Sequence, residues 1–92
     1  MNPTTVAHLQ LSALRRMYPA WEFVRGMDEA GGECWQMRLC VEITPPMRNA
    51  GIVEVVERSD YDSLAYELRR QEAILRPFRA TRLNPRRRAY TV

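Results

Sequence analysis

In the segment Glu33-Cys34-Trp35-Gln36-Met37-Arg38-Leu39-Cys40-Val41-Glu42-Ile43, the odd positions from Trp35 onward are all apolar. The even positions hold Cys34, Gln36, Arg38, Cys40 and Glu42. Successive side chains of an extended chain point to opposite faces, so alternation of this length predicts a strand from Glu33 to Ile43 with one buried and one open face. Just upstream, Gly26-Met27-Asp28-Glu29-Ala30-Gly31-Gly32 reads as a hairpin loop, and Trp21-Glu22-Phe23-Val24-Arg25 reads as the partner strand.

Further out, Pro3 with Thr4 or Thr5 forms a helix start. Val6, Leu9, Ala13 and Met17 then recur at helical spacing, widened by Leu14, and predict the inner stripe of a first helix. Tyr18-Pro19 ends that helix, because a residue before proline is pushed out of helical geometry. Downstream, Thr44 to Gly51 is a breaker-rich connection, and Ile52 to Glu57 is β-branched enough for a third strand. Its facing stays open between Val53 with Val55 and Ile52 with Val56, and a bulge would reconcile the two. Ser59 with Asp62 resembles a capping box, and Leu64, Leu68 and Leu75 predict a second helix stripe that Pro77 terminates. The expected fold is one small α+β domain over residues 1–75, in the order α-β-β-β-α. Both helices pack on one face of a three-stranded antiparallel sheet, and a basic tail follows over residues 76–92.

The 92 residues are 46% apolar and 27% charged, ordinary values for a single globular unit. No apolar run approaches the roughly 20 residues of a membrane helix, and the first residues lack a signal-peptide pattern, so no membrane association and a cytoplasmic location are expected. All fourteen basic residues are Arg, a bias that reads first as the codon usage of a high-GC bacterium or of its plasmid or phage. The net charge of +3 is unevenly spread. Residues 1–75 hold eight Arg against eleven acids, while residues 76–92 hold six Arg and no acid.

Cys34 and Cys40 stand six residues apart on one predicted strand, about 20 Å, too far for a disulfide. With a single histidine, His8, and no close cysteine pair, neither a metal site nor a cofactor is expected. The neighbouring acids Asp28 with Glu29, and Asp60 with Asp62, lie where turn and capping roles explain them, so no catalytic site is expected. The order helix, three strands, helix over roughly residues 5–75 resembles the double-stranded-RNA-binding domain. That family places basic residues at the start of its second helix and sends its first inter-strand loop into a minor groove. Here Asp60 with Asp62, and Asp28 with Glu29, hold those positions and would repel phosphates, so the resemblance stops at topology. A base-stacking platform is opposed as well, since Trp21, Phe23 and Trp35 fall on the expected inner face. The stretch Leu14-Arg15-Arg16-Met17-Tyr18-Pro19-Ala20-Trp21-Glu22 is similar to segments of short Arg-rich actinobacterial proteins and implies no activity.

The expected function is a small non-catalytic accessory or regulatory protein whose tail binds nucleic acid or another polyanion through Arg76, Arg79, Arg82, Arg86, Arg87, Arg88 and Tyr90. In a polyproline-like segment Arg76, Arg79, Arg82 and Arg88 would align on one side. The tail is equally readable as a solubilising appendage, or as a segment docked on the acidic body through Phe78 and Leu83. The alternative function is a protein-interaction or adaptor module. It would use an open sheet face holding Val24, Cys34, Gln36, Arg38 and Cys40, or a free sheet edge through which a homodimer forms, with an acidic protein surface as a possible partner of the tail.

Overall fold

The computed structural model describes residues 3–80. Helix α1 (Pro3–Met17) carries Arg15 and Arg16 in its last turn, where cations favour the negative end of the helix dipole. Strand β1 (Trp21–Met27) follows, and the chain reverses through Asp28, whose carboxylate accepts from the backbone N–H of Ala30 at 2.9 Å and of Gly32 at 2.7 Å. Gly31 occupies the left-handed region that this turn requires, with φ 83°. Strand β2 (Glu33–Leu39) returns antiparallel, pairing Trp21 with Leu39, Phe23 with Met37 and Arg25 with Trp35. Strand β3 (Val55–Arg58) pairs antiparallel on its other side, setting Val56 beside Met37, and the sheet order is β1-β2-β3.

The alternating segment buries Trp35, Met37 and Leu39 as read, but the strand stops at Leu39 rather than Ile43. Pro45 and Pro46 instead start a short helix, α2 (Pro45–Asn49), at the positions where a missing N–H costs nothing. Val41 and Ile43 still pack against the core from the connection. The third strand begins at Val55, three residues later than expected. The reason lies in helix α3 (Tyr61–Leu75), whose Gln71 is fully buried. Its amide accepts from the Val53 N–H and donates to the Gly51 carbonyl, both at 3.1 Å, so a side chain supplies what a neighbouring strand would. Ile52 and Val56 are the buried pair, and Val53 is exposed.

Both long helices lie on one face of the sheet: α1 rests on β1, and α3 on β2 and β3. Leu64, Leu68 and Leu75 of α3 are buried as expected, and Tyr61 meets Trp35 edge to face with ring centroids 5.5 Å apart. The α3 cap is Asp60 rather than Ser59. Its carboxylate accepts from the Ser63 N–H at 2.7 Å and the Ser63 hydroxyl at 3.2 Å.

The inner stripe of α1 differs from the expected one. Ala7 and Leu14 are buried with Leu11 and Tyr18 packed beside them, whereas Val6, Leu9 and Met17 are 38%, 53% and 64% exposed. α1 is apolar across two adjacent strips, and the docked contacts choose between them. The Arg15 guanidinium donates to the Phe23 carbonyl at 3.0 Å, and the Trp21 N–H donates to the Tyr18 carbonyl at 3.1 Å, which turns Leu14 inward.

Candidate interaction surfaces

The α-helix ends at Leu75, but the chain continues as a 3-10 turn over Arg76–Ala80. Phe78 packs against the core, and the Arg79 guanidinium donates to both Glu72 carboxylate oxygens, at 2.8 and 2.9 Å. Glu72 Oε2 also accepts from the Trp21 indole N–H at 2.9 Å, so one carboxylate ties the turn to the start of β1. One expectation is corrected here: Arg76–Ala80 is a 3-10 turn rather than an extended polyproline-like segment. Phe78 docks this first part of the tail on the body, and Arg79 is bound to an acid of its own chain. Arg76 is exposed at the end of α3. Arg82, Leu83, Arg86, Arg87, Arg88 and Tyr90 lie outside the described residues.

The body balances its own charge in the same way. Arg25 bonds Glu33 at 2.9 Å while stacking 5.7 Å over Trp35, and Glu33 also accepts from the Trp35 indole N–H. The hydrogen bond from Arg25, followed by that from Trp35, holds the Glu33 carboxyl below the usual carboxylate range. Nearly buried Glu67 is clamped by Arg70 at 2.8 Å and approached by Arg58 at 3.8 Å, and the Arg70 bonds lower its pKa despite burial. The Ser63 backbone N–H lowers Asp60 likewise.

The register places the expected interaction residues on the sheet face away from the helices. Glu22, Arg38 and Val55 form one cross-strand row, Val24, Gln36 and Glu57 the next, and Gly26 with Cys34 a third. Val24 is 48% exposed, Arg38 is exposed, and Cys34, Gln36 and Cys40 are half-buried. The Gln36 amide donates to Glu57 at 2.8 Å, and the Cys40 thiol faces the Arg38 carbonyl at 3.7 Å. The structure thus brings Val24, Gln36 and Arg38 together, with Cys34 in the adjoining row and Cys40 beyond the end of β2. Both cysteines are free thiols. The β1 edge is partly occupied, because Arg15 takes the Phe23 carbonyl. Strand addition along that stretch would have to displace this bond.

Among the described residues, three of the surface hollows bear on function. A shallow one of about 450 Å³ is lined by Arg58, Asp62, Ser63, Tyr66 and Glu67, and one of about 210 Å³ lies among Asp28, Glu33, Cys34 and Glu57. In the first, the Glu67 carboxylate is held by Arg70 and approached by Arg58, and the Arg70 bonds lower its pKa. The third, also about 210 Å³, is a groove between α1 and α3 lined by Ala13, Leu14, Met17, Tyr18, Tyr61, Ala65, Leu68 and Arg69. Sequence reading misses this groove by assigning Met17 to the core. The available signal is that Val6, Ala7, Leu9, Leu11, Ala13, Leu14 and Met17 are more apolar residues than one face of a helix needs. Comparison with protein-family models, curated proteins and solved structures returns no match. No described helix is long and apolar enough to cross a membrane.

Proposed function

We propose that the chain is a small non-catalytic accessory protein whose Arg-rich C-terminal segment binds nucleic acid or another polyanion while the folded body positions it. The supporting observation is the distribution of charge. Residues 1–80 hold ten Arg against eleven acids, and Arg25, Arg58, Arg70 and Arg79 in that stretch are ion-paired with its own carboxylates. Residues 81–92 hold Arg82, Arg86, Arg87 and Arg88 without an acid, beside Tyr90, so the net positive charge of the chain resides there. Four arginines on duplex DNA correspond to a log-affinity against log-salt slope of about −4. The two free thiols, Cys34 and Cys40, agree with action in a reducing compartment such as the cytoplasm.

The test is fluorescence anisotropy of labelled duplex DNA, single-stranded DNA and RNA across a salt series. It compares the full chain with a full-length variant carrying glutamine at 82, 86, 87 and 88. Micromolar or tighter binding that follows this slope and vanishes in the variant is expected, and no binding at low salt refutes the proposal. A second reading, a protein-interaction module, is favoured by the uncovered sheet face, where exposed Val24 lies in the same row as the bonded Gln36 and Glu57.

A further inference from the structure

We infer that the groove between α1 and α3 is a docking site for an acidic amphipathic helix of a partner protein. Val6, Leu9, Ala13 and Met17 run along the outer flank of α1 at helical spacing, and the three larger ones are solvent-exposed. Ala13 and Met17 enter the groove from α1, Tyr61 and Ala65 enter from α3, and Leu14 and Leu68 contribute buried side chains to its lining. A concave apolar cleft flanked by a line of apolar anchors is the surface that accepts the apolar face of a helix.

Charge selects the partner. α1 contains no acidic residue, and the only charged side chain lining the groove is Arg69. Among the described residues Arg69 has no carboxylate within ion-pair distance, whereas Arg25, Arg70 and Arg79 each hold one at 2.8 or 2.9 Å. The nearby acids of α3 are differently committed: Glu72 is bound by Arg79 and Trp21, and Asp62 lines the neighbouring hollow. A helix with a glutamate beside its apolar stripe therefore meets the unpaired Arg69 guanidinium at the groove. A second copy of the chain fits less well. It would bring the same Arg69 charge to the groove. A membrane surface fits less well too, because the site is concave and the exposed flank of α1 carries no aromatic anchor.

This inference stands apart from the polyanion reading, and its test separates the two. The isotopically labelled full chain is titrated by NMR with an 18-residue peptide that repeats leucines at helical spacing with glutamates between them. The same peptide with lysines for glutamates, and anionic phosphatidylglycerol vesicles, serve as comparison probes. The acidic peptide should shift the amides of Ala13, Met17, Ala65 and Arg69 and bind at least about tenfold more tightly than the lysine peptide. Met17→Glu and Arg69→Glu should each weaken it at least fivefold, and glutamine at 82, 86, 87 and 88 should leave it unchanged. Met17 is exposed, so Met17→Glu folds normally and keeps the test clean. Equal binding of the lysine peptide, shifts confined to the open sheet face or to residues past 80, preference for vesicles, or self-association abolished by Met17→Glu would each overturn the proposal.

Discussion

Gln71 is the side chain on which the path of residues 51–53 depends. Replacing it by leucine keeps the volume but leaves the Val53 N–H and the Gly51 carbonyl without partners, at a cost of about 3 kcal/mol. Urea unfolding should show this as a lower midpoint with unchanged slope. Glu67 controls an acid-sensitive part of stability. Its folded-state pKa is depressed, chiefly by Arg70, so the unfolded chain takes up the proton first as pH falls. The stabilisation is complete above the ordinary glutamate range and is lost as pH drops from about 4.5 through the lower folded value. Glu67→Gln should therefore be less stable at pH 7 and show a shallower loss of stability on acidification, measured by thermal unfolding from pH 7 to pH 3. Neither role is legible in sequence. A glutamine on a helix ordinarily faces water, and the residues it serves lie 18 and 20 positions away.

At the scale of elements, β2 was readable and α1 only half so. A strand has two faces, so parity in Trp35, Met37 and Leu39 assigns both of them at once. A helix has a continuous circumference, and on α1 two overlapping apolar strips satisfy the same periodicity. Leu14→Ala should cost about 3 kcal/mol, whereas Met17→Ala should stay within about 0.5 kcal/mol. Equal losses would mean that α1 is rotated from the described position. The start of α3 offers a comparable contrast. Asp60→Ala should lower Tm by a few degrees, and Ser59→Ala should leave it nearly unchanged, because Asp60 supplies the acceptor to the Ser63 N–H.

For the whole molecule, the prediction concerns where its charge can act. Arg79→Gln should weaken DNA binding little in comparison with the four-arginine variant, since Arg79 is already bound to Glu72, while lowering Tm by releasing the 3-10 turn. Anisotropy and thermal melts on the same samples check both halves. The sequence by itself determined the α-β-β-β-α order, the buried face of β2, the leucine stripe of α3 and the concentration of arginines near the C-terminus. Those properties follow from local spacing and residue counts, which the chain carries before it folds. Only the tertiary structure decided which strip of α1 is buried, that Gln71 replaces strand pairing before Val55, that Arg79 folds back on Glu72, and that a groove opens beside Met17. Each of these depends on groups distant in sequence meeting in space, where one side chain's hydrogen bond or steric fit chooses between arrangements that local pattern leaves equal.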